Sequence, residues 1–144
     1  MGNSGRLAVV GAVVAGSAFA ATMANATPPG PGVTGRIIAD GTAGGTHVVV
    51  REITLPPGQS TGWHFHDGSV YGLVKQGTLS HFDASCKSDG VYRAGSSISE
   101  PSGADHVHIG RNLGKVPVVL DVIYALPVGS PLSEDAPNPG CDFQ

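Results

Sequence analysis

Gly58-Gln59-Ser60-Thr61-Gly62-Trp63-His64-Phe65-His66 runs from a glycine-bounded turn into a strict alternation of aromatic and imidazole side chains. Residues two apart in a strand share a face, so His64 and His66 present two imidazoles side by side. Trp63 and Phe65 then point away into packing on the opposite face. The spacing recurs at His106 and His108. Imidazole is the commonest protein ligand for several transition metals, and two strands that each turn such a pair toward one interior offer three or four nitrogens to a single ion. A lone strand histidine is more often a hydrogen-bonded core or rim residue; the repeated pairing is what points to a metal. His47 and His81 have no such partner and are expected to be ordinary strand residues, with His81 the nearer to the cavity.

Around these pairs the chain is a series of short segments rich in Val, Ile, Thr, Tyr and Phe, each closed by Gly, Pro, Asp or Asn. The pattern predicts strands over 36–39, 47–55, 62–66, 70–76, 78–82, 90–93, 96–100, 106–111 and 118–125. Pro56-Pro57-Gly58, Lys75-Gln76-Gly77 and Ala94-Gly95 are the clearest turns. No helix of useful length is expected, and strands at this density argue for an all-β antiparallel sandwich or barrel. Residues 27–34 are Pro- and Gly-rich and read as a flexible lead-in. The barrel then occupies 35–126, and a tail of 127–144, studded with Pro127, Pro131, Pro137 and Pro139, should cross the surface as irregular chain.

Residues 1–26 have the grammar of a signal peptide: Arg6, an uncharged run of Ala, Val and Gly, then Ala24-Asn25-Ala26 as a small-residue cleavage site. A permanent membrane anchor would need about 20 strongly apolar residues, and this run is diluted by Gly11, Gly16, Ser17 and Thr22. The expectation is a secreted or extracytoplasmic protein with no membrane contact after cleavage. In such a compartment Cys86 and Cys141, neither in a Cys-x-x-Cys motif, should form a disulfide that pins the tail. The net charge is −3 and the few Lys and Arg are scattered, so the basic footprint of a nucleic-acid partner is missing.

The run from Gly58 through His64, His66 and Gly77 resembles the first motif of the cupin superfamily: glycine, five residues, His-x-His, a few residues, glutamate, six residues, glycine. Gly95, Pro101, Gly103 and His106 resemble its second motif, and together the two span about 58–112. The resemblance implies a single antiparallel double-stranded β-helix, the jelly-roll barrel, with a metal in its mouth. Two departures matter. The position that the family gives to a glutamate ligand is Val70, followed by Tyr71. In the second motif the Pro-x-Gly count selects His106, while the histidine three residues before Asn112 is His108.

Three outcomes stay open at this point: a three-histidine site, a four-histidine site of His64, His66, His106 and His108, and a cavity that has lost its metal. Asp67, Glu100 and Asp105 are each placed to supply a supporting carboxylate, and Tyr71 and Tyr124 to line the cavity. The resemblance implies a divalent transition metal (Fe, Mn, Ni or Zn) and a small-molecule substrate handled in the dioxygenase or isomerase style. The rival reading is a non-catalytic module that binds or senses a small molecule or metal. Such barrels often pair through an edge strand, so a homodimer is expected.

Overall fold

The computed structural model of the protein describes residues 26–144. The expected signal peptide falls almost wholly outside them. Among the described residues ten strands form in chain order: β1 (Thr34–Ala43), β2 (Thr46–Leu55), β3 (His64–Phe65), β4 (Ser69–Gln76), β5 (Thr78–Asp83), β6 (Ser88–Arg93), β7 (Ser97–Glu100), β8 (His108–Arg111), β9 (Val118–Pro127) and β10 (Glu134–Asp135). Every pairing is antiparallel, in two five-stranded sheets ordered β1-β2-β9-β4-β7 and β10-β3-β8-β5-β6. No helix forms among the described residues, and the architecture is the all-β jelly roll.

Alternation decides which side chains line the interior. Along β9, Val118, Leu120, Val122, Tyr124 and Leu126 face in and are buried. Val49 and Leu55 of β2, Val70 and Val74 of β4, Leu79 of β5 and Ile98 of β7 join them in the main core. The outer face of the first sheet carries a group of ion pairs, Glu52 with both Arg36 and Lys75 and Lys75 with Asp121, beside exposed Tyr71, Leu73 and Ile123.

A second, smaller core lies on the far side of the other sheet. Trp63 and Ile109 are fully buried there with Ala136, against Phe65, Phe82, Cys141 and Phe143. Phe143 stacks on Trp63 with ring centroids 6.0 Å apart, and the Arg111 guanidinium sits 4.5 Å from the Phe143 ring. The tail is therefore not wholly irregular. Its Glu134 and Asp135 form β10 against Phe65 and His64, and Cys141 is disulfide-bonded to Cys86 in the β5–β6 turn. Two-residue strands set by a distant partner carry no periodic pattern of their own, which is why sequence alone does not show them.

The Pro/Gly-rich lead-in is also tied down. Buried Thr27 donates its backbone N–H to Ala136, and its hydroxyl accepts from the Trp63 N–H at 2.7 Å. Gly30 donates to the Ser60 carbonyl. The lead-in and the tail thus both close over β3, the short strand that carries His64.

Candidate metal centre

His64 and His108 are direct cross-strand partners on β3 and β8, so their side chains share one face. His66, one residue past the end of β3, also turns its ring to the same point. The three rings gather with centroids 4.4 Å (His64–His108), 4.9 Å (His64–His66) and 5.2 Å (His66–His108) apart. All three histidines are buried.

The carboxylate that Val70 fails to provide comes from the opposite sheet. In the β4–β7 ladder Val70 pairs with Glu100, so the two side chains project from the same face. The acid has moved one strand over while keeping its place in the interior. His64, His66, Glu100 and His108 each offer a ligand atom, and these atoms lie within 4.8 Å of one another.

Hydrogen bonds fix how the rings present themselves. His64 Nδ1 contacts the Gly62 carbonyl at 2.9 Å, His66 Nδ1 the Leu132 carbonyl at 2.7 Å, and His108 Nδ1 the His106 carbonyl at 2.7 Å. A carbonyl only accepts, so each Nδ1 carries the proton, and in the neutral rings each Nε2 is left with a lone pair. The Nε2 atoms of His66 and His108 are buried without a hydrogen-bond partner. Glu100 Oε2 nevertheless stands 3.1 Å from the first and 3.5 Å from the second. Lone pairs and an anionic oxygen that converge at such distances repel unless a cation or a proton lies between them.

This donor set fits a divalent transition metal. Imidazole with carboxylate suits Fe, Mn, Ni or Zn, and rings oriented through their remote N–H are the usual form of a ligating histidine. With no cation, burial raises the Glu100 pKa, but the close contacts with His108, His66 and His81 outweigh it and hold the carboxyl well below the usual range. Burial, and then the neighbouring His108 and His66 rings, push His64 down to about 3.

His106 does not join the cluster. β8 begins at His108, so the two-residue rule of a strand does not carry His106 to the same face. Its side chain is 45% exposed, 3.9 Å from exposed Asp105, and its contribution is the backbone carbonyl that orients His108. Of the two candidates in the second motif, it is thus His108 whose ring lies with His64 and His66. Asp67 and Asp105 face solvent.

His81, expected to be an ordinary strand residue, enters the site from β5. Its Nδ1 donates to Asp89 at 2.6 Å and its Nε2 stands 3.4 Å from Glu100 Oε1, the oxygen that His66 and His108 do not face, with its ring centroid 5.0 Å from that of His108. Burial works against its charge, yet Glu100 and Asp89 together raise its pKa. His47 is remote, paired with Asp40 at 2.8 Å. Tyr71 is half exposed, whereas Tyr124 lies inside with its ring 5.8 Å from His66. Alternation held the clue to both missed residues: Ile98-x-Glu100 and Leu79-x-His81 each put the polar side chain in line with a core aliphatic.

Two cavities flank the cluster. One of about 370 Å³ opens beside Glu100, His81 and His108 and is rimmed by Asp83, Asp89 and Asp105. The other, of about 100 Å³, lies on the His64 and His66 side with Arg51 and Tyr124, and is also lined by Pro29 and Val33 of the lead-in and Ser133 of the tail.

The model of the cupin domain family matches residues 51–124. Among solved structures, a cupin-like protein from Thermotoga maritima is similar with a TM-score of 0.62 and 19% identity, over 74% of this chain and 77% of that one. A double-stranded β-helix protein from Klebsiella pneumoniae gives 0.61 and 19%, over 75% and 88%. The polyketide cyclase RemF from Streptomyces resistomycificus gives 0.60 and 22%, over 78% of each chain. No curated protein matches the chain.

Proposed function

The chain belongs to the cupin superfamily, and from that premise we propose that it is an exported metalloenzyme acting on a small organic molecule in the dioxygenase or isomerase style. His64, His66, Glu100 and His108 would hold one divalent ion, Fe, Mn, Ni or Zn. The observation that carries this reading is the convergence of three backbone-oriented imidazoles and a displaced carboxylate on one buried point. A bound ion supplies Lewis-acid polarisation of an oxygen donor or the activation of dioxygen.

The chain's own residues would set the conditions. The carbonyls of Gly62, Leu132 and His106 hold the rings in register, and His81 steadies the free oxygen of Glu100. Tyr124, its phenol pushed up to about 12 mainly by burial, stays neutral and is a hydrogen-bond donor beside His66. Export is supported by the signal-like residues 1–26 and by the disulfide that ties the tail over β3. Edge strand β1, with Ile37 and Ile38 half exposed, is the surface through which two copies would pair; a monomer mass by light scattering would count against that.

The enzymatic reading is tested by screening the metal-loaded protein on small hydroxy, keto and enol compounds, following oxygen uptake and isomer formation. Turnover should vanish on chelation and return with metal. Turnover undiminished by complete metal removal, or none with any compound in a fully loaded protein, would overturn it.

A further inference from the structure

The inward row of β2 reads Val49, Arg51, Ile53, Leu55: three core aliphatics and one guanidinium. Charges on the opposite face of the same strand are paired, Glu52 with Arg36 and Lys75. Among the described residues no carboxylate lies within ion-pair distance of Arg51. A partly buried charge without a counter-charge loses solvation and gains nothing in return.

The protein nevertheless makes room for it. A Cβ placed on Gly35, in the adjacent β1, would fall 2.0 Å from Arg51 Nε and Nη2. The Gly35 backbone is not in the left-handed region, so its missing side chain serves the close approach of the guanidinium. Arg51 and Tyr124 are diagonal neighbours on the inner face, because Arg51 pairs with Val122 and Val49 with Tyr124. Burial raises the Tyr124 phenol, and the nearby Arg51 charge opposes that shift. Both side chains line the 100 Å³ cavity, together with His64, His66 and Thr61.

We infer that this cavity is an anion subsite, in which Arg51 and Tyr124 receive the carboxylate of a compact organic acid whose remaining oxygen atoms face His64 and His66. A guanidinium supplies donors only, and a neutral phenol adds one more, which suits the two oxygens of a carboxylate and leaves the NH2 of an amide poorly matched. The volume is about three times the ~30 Å³ share of a water molecule, which admits an acid of two to four carbons. The larger cavity is rimmed by Asp83, Asp89 and Asp105 and repels the same anion, so the acid approaches from the Arg51 side. The inference deepens the proposed enzymatic reading, since it names the substrate class of that site, but the subsite itself needs no turnover.

The test is equilibrium binding of acetate, lactate and malonate, each beside its amide, by calorimetry and NMR on both metal-free and zinc-loaded protein. At least one acid should bind about tenfold or more tighter than its amide, as expected for charge-assisted bonds. That preference should disappear in Arg51→Gln, weaken in Gly35→Ala, where the charge stays but the guanidinium is displaced, and survive in part in Arg51→Lys. Native melting and unchanged zinc uptake establish that each variant is folded. Equal binding of acid and amide, no acid binding at all, or a preference untouched in Arg51→Gln overturns the inference. An Arg51-dependent preference in a protein that takes no metal would keep the subsite and sink the metalloenzyme reading instead.

Discussion

Replacing His81 by Leu removes a residue that contributes no atom to the metal cluster, and the account expects metal affinity to fall all the same. His81 spans from Asp89, at 2.6 Å, to Glu100 Oε1, at 3.4 Å, and is 4% exposed. Its raised pKa favours the doubly protonated ring, whose Nε2 faces the free oxygen of Glu100 while Oε2 faces His66 and His108. Partners of this kind typically contribute 10- to 100-fold to metal affinity, or about 1.4 to 2.8 kcal/mol. His81→Leu should therefore weaken zinc binding by that factor in competition with a chromophoric chelator. Asp89→Asn should do less, because the Asp89 side chain is 43% exposed and water can replace it. An unchanged affinity in a well-folded His81→Leu protein would refute the reasoning.

Moving the carboxylate back is a sharper probe of the site's layout: Glu100→Val should lose metal, and the double variant Val70→Glu/Glu100→Val should recover part of it, because the two positions face each other across β4 and β7; a double variant as weak as the single one in chelator competition would count against the shared location. Cys86→Ser/Cys141→Ser opens a link across a sequence separation of 55 and should lower unfolding free energy in denaturant by about 4 kcal/mol in the chain-entropy account. It should also loosen metal binding, since the tail carries the Leu132 carbonyl that orients His66. Tyr124 has a folded pKa of about 12 against about 10 unfolded, so its stabilising effect is complete below pH 10 and is lost as pH rises to 12. That decline is about 3 kcal/mol, and Tyr124→Phe should show a correspondingly shallower loss of stability over this range.

Much of the barrel was legible because its signals are local. Alternation along β9 and β2, and turns at Gly58, Gly77 and Gly95, all with positive φ, mark strands without knowledge of their partners. The His-x-His of β3 was legible for the same reason. What sequence could not supply was pairing. Glu100 becomes part of the site only through its register with Val70, and His108 displaces His106 only because β8 starts where it does. Likewise β10 exists through its contact with β3, and the lead-in is held by hydrogen bonds to Ser60, Trp63 and Ala136 far along the chain. Arg51 looks like any strand charge until the inward row of β2 is known.

The central claim is that His64, His66, Glu100 and His108 form one metal centre, and elemental analysis of protein purified without chelator tests it most directly, beside His64→Ala/His66→Ala and Glu100→Ala variants. The account predicts close to one transition-metal ion per chain in the native protein, little in the double histidine variant and a reduced content without Glu100. A native protein that carries no metal and takes none up when Fe, Mn, Ni or Zn is supplied would contradict it.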